Sequence, residues 1–514
     1  MPQELPGFYY DAEKNRYFPI KGPIPGSSRK SATAQKDPSV DHSQVKSSLR
    51  RGIRNAKLIQ DRELHGNMMS IRNQKGSFQE EYIKNLVSLP AFWIYSSTER
   101  LADAGLRLAH ANVETPMGEF GTELLLTGGV DGTLGLFEVG KVGLHSQAVH
   151  RRRIQPGSIV GYGCTVAFSH IRQATRCLLN LGSSISSINT PKLHTDGDLS
   201  NAAFALVTSM GSAADGGSIY VLSLALKLGL YGAYDLVRPI SKIRSLKNTI
   251  WTSDCDLTGN RAFVGTDEGV TMVDLETRNT SKVFRSKSDV FALQLFQKEN
   301  VMFCGFRNGV IVTVDSREMQ RHFDVHQVPC PYHKRCETSR GLKPSGQFGR
   351  NIHPGCTVRM PSAISSLVSL QLYDQYFLAS SMDGSIKLYD NRQIQHGAVQ
   401  SYEGHVNSHT RIQLAVDPYE RFVASGGEDG KVRTWSIKSG ELLLEDKISN
   451  GSIPTACWDS GMPGALLDER EGHNNKKPRC SHPRQQSKDE WQGRKGIKWG
   501  VWLGMEKGLA RVEF

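Results

Sequence analysis

Two Asp-x-Arg pairs are the residues of this sequence whose types and spacing best suit chemistry. Asp315 and Arg317 form one pair, and Asp390 and Arg392 form the other. Side chains two positions apart on an extended segment project to the same side, so each carboxylate can hold its guanidinium in place. The guanidinium then offers a planar fork of five donors to a partner. The pattern predicts a docking contact. The alternative is an Arg whose stem packs on the protein surface for structural reasons only.

The two pairs lie at the same position of a repeated sequence. The stretches VMFCGFRNGVIVTVDSR (301–317) and YFLASSMDGSIKLYDNR (376–392) align without a gap. Tyr389 precedes the second pair, whereas Val314 takes the aromatic position before the first. We therefore expect Arg392 to be the main contact, because an aromatic–Asp strand end fixes its backbone. The Arg of the first pair is expected to be the lesser contact.

The sequence offers no motif for catalysis. It contains no Gly-x-Ser-x-Gly elbow, no Gly-x4-Gly-Lys-Ser/Thr phosphate loop and no His-Glu-x-x-His zinc motif. Zinc-ligand residue types cluster in one stretch, at His322, His326, Cys330, His333 and Cys336. Their spacing matches no standard zinc knuckle, so we predict a solvated loop there rather than a metal site. The chain is expected not to be an enzyme and to carry no cofactor or metal.

The residues that precede the second pair predict a β-hairpin. Asp383-Gly384 supplies the positive φ of a two-residue turn, and Ile386 and Leu388 alternate with polar residues as in a half-buried strand. Similar strand–turn–strand units recur at seven x-Gly turns: Asp131-Gly132, Gly216-Gly217, Glu268-Gly269, Asn308-Gly309, Asp383-Gly384, Asp429-Gly430 and Lys507-Gly508. Three of the spacings between one turn and the next are close to the period of a WD40 blade, about 40–50 residues.

The expected fold is therefore all-β, a closed seven-bladed WD40 β-propeller over residues 75–514. An eighth blade within residues 165–190 is the alternative. The ring must close because one blade alone cannot bury its faces, and open sheet edges invite aggregation. The longer gaps between turns require insertions, which composition assigns to residues 322–360 and 468–496.

An N-terminal extension precedes the expected propeller. Residues 1–20 contain five aromatic residues, too many for a solvated tail, and are predicted to be an ordered anchor. Residues 21–43 are rich in Pro, Ser and Lys and are predicted to be a disordered linker. Residues 44–65 place apolar side chains at helical spacing among basic ones, which predicts a short amphipathic helix.

Composition limits the compartment and the partners. The formal net charge of +12 is compatible with an acidic partner, but no aromatic residues are interleaved with the basic runs, so nucleic acid is not an expected partner. Those runs are import signals or solvated loop charge. The scattered Cys residues fit buried thiols of a reducing compartment, and neither a signal peptide nor a membrane span is recognisable. We expect the protein in the nucleus and/or the cytoplasm, and not as a secreted protein.

The ending Tyr389-Asp390-x-Arg392 resembles the "WDxR" box of WD40 substrate receptors of cullin-4 RING ubiquitin ligases. The chain as a whole resembles the cullin-4-associated factor 4 (WD-repeat protein 21) family. This resemblance is carried by LPGFYYDAEKNRYFPI (5–20), by YEGHVN (402–407) and by GEDGKVRTWSIKSGELL (427–443). It covers the N-terminal motif and residues 250–445, and it is absent from the two insertions.

The resemblance implies a non-catalytic receptor that docks on the triple-propeller damaged-DNA-binding adaptor of cullin-4 ligases and presents a substrate. The residues it assigns to docking are Tyr389, Asp390, Arg392, Asp315 and Arg317. It also suggests that the helix at 44–65 lies on the adaptor. Two other classes remain open: a WD40 scaffold or peptide/histone reader, and an RNA-associated propeller, both without a ubiquitin ligase link.

Overall fold

A computed structural model describes most of the chain beyond residue 74. The described ranges are 8–11, 16–19, 58–60, 62–63, 68–71, 74–96, 100–115, 118–140, 153–154, 158–160, 170–173, 179–191, 204–212, 215–228, 234–236, 240–296, 301–315, 321–322, 357–459 and 499–514. The chain divides into two compact units, Met1–Gly52 and Ile53–Phe514. In the first unit, Phe8–Asp11 pairs with Arg16–Pro19 as an antiparallel hairpin.

The second unit is a seven-bladed β-propeller, which confirms the predicted fold class and blade number. We number the blades in chain order and letter the strands A to D from the centre outward. Strands A to D are Gly105–Thr115, Gly118–Gly128, Thr133–Gly140 and His170–Gln173 in blade 1, and Ile185–Asn189, Phe204–Ser212, Gly216–Ser223 and Ser241–Ser245 in blade 2. They are Ile250–Cys255, Arg261–Thr266, Gly269–Asp274 and Thr280–Arg285 in blade 3, and Val290–Phe296, Val301–Phe306, Val310–Asp315 and Thr357–Arg359 in blade 4.

The remaining blades complete the ring. Their strands are Ile364–Ser369, Tyr376–Ser381, Ile386–Asp390 and Ala398–Tyr402 in blade 5; Leu414–Val416, Phe422–Ser425, Lys431–Ser436 and Leu442–Lys447 in blade 6; and Thr455–Trp458, Gly500–Met505, Gly508–Glu513 and Ala91–Ser96 in blade 7. Short strands extend three of the sheets. They are Arg153–Ile154, Leu179–Asn180, Ala225–Leu228 and Tyr234–Leu236 in blade 1, Arg321–His322 in blade 3 and Ser158–Val160 in blade 7.

The seven predicted x-Gly turns all join strand B to strand C, one turn in each blade. Their glycines adopt positive φ, as Gly384 does with a φ of 84°. A Cβ atom at Gly384 would lie 2.7 Å from the carbonyl oxygen of His405 in the connection to the next blade, so packing as well as backbone conformation requires glycine there. We call the face with these seven turns the upper face and the opposite one the lower face.

Blade 7 closes the ring by joining the two ends of the propeller sequence. Gly508–Glu513 pairs with Ala91–Ser96 along its whole length. Trp93 Nε1 donates to Glu513 Oε2 at 3.0 Å although 420 positions separate the two residues. Between blades the core is aromatic, as where Phe303 of blade 4 stacks on Phe377 of blade 5 with ring centroids 4.5 Å apart. Ring closure leaves neither terminal blade with an unpacked face.

Residues 68–87 precede the first propeller strand. Met68–Ile71 pairs with Gln74–Ser77, and an α-helix follows at Phe78–Val87. Ile83 and Val87 of the helix are buried in the core cluster of blades 6 and 7. The propeller therefore begins at Ala91 and not at residue 75 as predicted.

The other predicted boundaries are met only in part by the described residues. The insertion predicted at 322–360 is wrong at its ends, because His322 and Thr357–Arg359 pair as blade strands. The predicted helix at 44–65 is helical at 58–60 and 62–63, and the rest of it lies outside the described residues. So do the linker at 21–43 and the insertion at 468–496. The anchoring of residues 1–20 stays a prediction. Within the described part, no helix is long and apolar enough to cross a membrane.

Candidate functional site

The strand that carries the second Asp-x-Arg pair ends in a fixed position. Strand C of blade 5 begins at the upper x-Gly turn, so its last residues, Tyr389 and Asp390, lie at the lower face. Tyr389 is buried and stacks on Phe377, with ring centroids 5.4 Å apart. The aromatic residue of the box therefore holds the end of the strand from the interior of the propeller.

The carboxylate of Asp390 organises the residue that follows. Asp390 Oδ1 accepts the backbone N–H of Arg392 at 2.9 Å and the guanidinium Nε at 3.3 Å, while Oδ2 accepts from Nη2 at 3.3 Å. Hydrogen bonding from the Arg392 side chain lowers the pKa of Asp390 below its ordinary value. The Asp390 side chain is 11% exposed and that of Arg392 is 68% exposed. The anion thus lies inside and the cation is presented outward, as the spacing predicts.

An exposed apolar turn lies beside Arg392. The turn between strands A and B of blade 5 carries Leu372 and Tyr373, which are 63% and 53% exposed. It adjoins the Asp-x-Arg segment, since Asn391 donates its backbone N–H to the Gln375 carbonyl at 2.7 Å. We missed this pair in the sequence. The available signal was an aliphatic–aromatic dipeptide in a hairpin connection, where polar residues are the rule.

Glu420 of blade 6 fixes that turn. Its carboxylate accepts the backbone N–H groups of three consecutive turn residues, with Oε2 3.0 Å from the nitrogens of both Leu372 and Tyr373 and Oε1 bonded to that of Gln371. Glu420 is buried and has a φ of 54°, a conformation that favours glycine. The strained residue therefore presents a carboxylate to a neighbouring blade. We name Leu372, Tyr373 and Arg392 the lower corner.

Asp315 of the first Asp-x-Arg pair lies at the equivalent position in blade 4. Asp315 is the last residue of strand C and pairs with Val301, as Asp390 pairs with Tyr376. Val314 is buried where Tyr389 lies in blade 5. The structure thus brings the two boxes into the same register, but Arg317 lies outside the described residues. The docking role of all five predicted residues stays a prediction.

The centre of the propeller is a channel of about 660 Å³ lined by the A strands. Arg411, in the connection from blade 5 to blade 6, extends into it and donates from Nη1 to the carbonyl oxygens of Ser186, at 3.1 Å, and Trp251. Burial lowers the pKa of Arg411 to about 10, so the guanidinium stays charged at neutral pH. Arg411 ties blade 6 to blades 2 and 3. We did not predict this contact.

Among the described residues, no group of side chains is a candidate metal site. No three His, Cys, Asp or Glu side chains of that part converge in a way that could hold an ion. Of the predicted His/Cys stretch, only His322 is described, as an edge-strand residue of blade 3. The buried thiols of Cys304 and Cys457 have pKa values raised by burial, which makes both poor nucleophiles.

These features define a class of protein. The family model described as "WD domain, G-beta repeat" matches residues 397–436, which run from strand D of blade 5 to strand C of blade 6. Together with the seven blades, this match makes the chain a WD40-repeat β-propeller protein.

Within that class, the chain is similar to the cullin-4-associated factor 4 proteins, which confirms the predicted resemblance. "DDB1- and CUL4-associated factor 4-like protein 2" of Homo sapiens is 30% identical over 198 residues, which are 37% of this chain and 42% of that protein. "DDB1- and CUL4-associated factor 4" is 30% identical over 194 residues in Homo sapiens, covering 36% and 33%, and 28% identical over 198 residues in Bos taurus, covering 37% and 34%. The match spans less than half the length of each relative.

Proposed function

We propose that the chain is a non-catalytic, substrate-recruiting receptor of a cullin-4 RING E3 ubiquitin ligase. It docks on the triple-propeller adaptor through the lower corner and presents a substrate elsewhere on the propeller. The observation that carries the proposal is the Asp390-held guanidinium of Arg392, exposed beside Leu372 and Tyr373. The names of the relatives, which describe those proteins as DDB1- and CUL4-associated, support the choice of partner.

The composition of the lower corner suits a protein interface. Arg and Tyr are the residue types enriched among the few side chains that dominate binding energy. The guanidinium can bind carboxylate or carbonyl oxygens in a bidentate manner. Leu372 and Tyr373 can add the burial of apolar surface against a partner. Both parts are held by buried carboxylates, those of Asp390 and Glu420, so little conformational freedom is lost on docking.

The direct test is adaptor binding by the Arg392→Ala variant. The matched control is Arg307→Ala, because Arg307 is also 68% exposed and also pairs with an Asp, Asp289 at 3.1 Å, but lies on the upper face. Binding of the purified adaptor is measured by biolayer interferometry, with a thermal unfolding curve for each variant. Loss of binding at Arg392 alone supports docking. Equal binding by wild type and Arg392→Ala refutes it.

A broader test separates the rival classes. Affinity purification with mass spectrometry compares wild type with a variant substituted at both Arg317 and Arg392. A scaffold or peptide reader would retain the same partners in both samples and recover no cullin-4 components. An RNA-associated propeller would recover RNA whose binding falls steeply with salt. We also propose that the protein acts in the nucleus and/or the cytoplasm.

A further inference from the structure

Basic side chains follow the outer strands of three consecutive blades up to the upper face. Arg285 and Arg359 are each the last residue of a strand D, in blades 3 and 4. Lys247 and Lys287 each lie two residues beyond the end of strand D, in blades 2 and 3. All four side chains are exposed. Because strand D runs toward the upper face, the blade repeat places these cations along one continuous edge.

The charge of this edge is unbalanced. The D strands, their upper ends and the x-Gly turns of blades 2 to 4 carry eight basic residues, Lys242, Arg244, Lys247, Lys282, Arg285, Lys287, Arg307 and Arg359. The described residues of the same segments carry four acidic ones, Asp215, Asp267, Glu268 and Asp289. Two ion pairs, Lys282 with Glu268 at 2.7 Å and Arg307 with Asp289 at 3.1 Å, each use one basic and one acidic residue, so the excess of four basic residues remains. We call the eight basic residues the basic rim.

The excess does not extend around the propeller. In blade 6 the last residue of strand D is again basic, Lys447, and it is exposed. There, however, the corresponding segments hold Glu428, Asp429, Glu445 and Asp446. The propeller repeat by itself therefore does not produce a basic edge. Blades 2 to 4 differ from blade 6 in charge at positions that the fold makes equivalent.

We infer that the basic rim binds an acidic segment of a polypeptide, which, if the proposed function holds, belongs to the substrate. Nucleic acid fits less well. Among the described residues, the exposed large apolar side chains include one aromatic, Tyr373, and it lies on the lower face. The partly exposed ring of Tyr220 beside the rim already lies against Nζ of Lys242, 5.9 Å from the ring centroid, so no strongly exposed ring is available there for a base to stack on.

The position of the rim agrees with this role. Its upper end, with Lys247, Arg285, Lys287 and Arg359, lies at the upper face, whereas the lower corner that we assign to the adaptor lies on the opposite one. A substrate bound at the rim would therefore not compete with the adaptor for the same surface. The long-range attraction between a basic edge and an acidic segment would also speed association and make it sensitive to salt.

The test uses the full chain and a fluorescein-labelled peptide of alternating Glu and Ser, about twelve residues long. Fluorescence anisotropy measures its binding to wild type, to the charge-reversal variant Lys247→Glu/Arg285→Glu and to the matched control Lys447→Glu. We expect the double variant to lose at least tenfold in affinity and the control to bind like wild type. A thermal unfolding curve verifies that each variant is folded, and Lys247→Ala/Arg285→Ala replaces the reversal variant if it is not.

Three results would overturn the inference: no peptide binding by wild type, equal loss in the Lys447→Glu control, or tighter binding of a labelled uridine oligonucleotide than of the peptide. Arg392→Ala separates this inference from the proposed function, because it should leave peptide binding unchanged while weakening adaptor binding. If adaptor binding is absent from wild type but the rim variants still lose the peptide, the rim stands as an acidic-segment site and the ligase assignment fails.

Discussion

Replacement of Glu420 tests whether a buried carboxylate in blade 6 organises the proposed docking surface of blade 5. The Glu420→Ala change removes the acceptor of three consecutive backbone N–H groups, those of residues 371–373. A hydrogen bond to a charged group contributes about 1.5–3 kcal/mol, and such contributions are not additive when water can replace part of them. We therefore expect Glu420→Ala to lower the free energy of unfolding by about 3 kcal/mol.

Two further variants separate the hydrogen bonds from backbone strain. Glu420→Gln retains one oxygen acceptor, so it should lose roughly half as much stability as the alanine variant. Glu420→Gly lacks the carboxylate but relieves the left-handed conformation, φ 54°, which costs other residues about 1–2 kcal/mol. The glycine variant should consequently be more stable than the alanine variant by about 1 kcal/mol.

Urea denaturation followed by tryptophan fluorescence gives the three free energies, and biolayer interferometry gives adaptor affinity for the same samples. Because the turn that carries Leu372 and Tyr373 loosens, adaptor affinity should fall in the alanine variant even under conditions where it is fully folded. An alanine variant within about 0.5 kcal/mol of wild type would refute the reasoning. So would a glycine variant less stable than the alanine one.

Three more predictions concern other parts of the chain. Arg392→Ala should weaken adaptor binding at least tenfold with little change in the thermal midpoint, because the side chain is exposed; a parallel loss of stability would point to a structural role. Burial raises the pKa of Glu428, but hydrogen bonds from Ser408, His409 and Thr410 outweigh it and lower the pKa to about 2. The stability that this carboxylate contributes is therefore complete above its unfolded pKa of about 4.3 and is lost as pH falls toward 2. The gap in unfolding free energy between wild type and Glu428→Gln should accordingly narrow between pH 5 and pH 3, and a constant gap would contradict this. Deletion of residues 1–20 should lower the thermal midpoint or the affinity for partners, and unchanged values for both would show that the aromatic segment is no anchor.

The blade number and the position of the Asp-x-Arg pairs could be predicted from sequence because both depend on local features. A glycine at positive φ is a requirement of the turn itself, so seven x-Gly turns predict seven hairpins. The register of Asp315 and Asp390 follows equally directly, because each lies a fixed number of residues after its turn.

Contacts between distant residues required the tertiary structure. Pairing of Ala91–Ser96 with Gly508–Glu513 joins the ends of the propeller, and no local pattern selects that partner. The strand at Thr357–Arg359 was assigned to a loop because three residues after a long polar stretch have no periodicity of their own; its edge position in blade 4 makes it a strand.

The candidate sites also combine features that local sequence predicts with contacts that only the tertiary structure decides. Sequence spacing predicted that Asp390 holds Arg392, since both partners lie in one segment. It did not predict that Glu420, nearly fifty positions away, holds the turn of Leu372 and Tyr373 beside them. The basic rim likewise arises from residues of three blades that are ordinary solvated charges in the sequence. Hydrogen bonds and charge excess between blades depend on which residues of adjacent blades come to lie at the same edge, and that arrangement is decided by the packing of the blades.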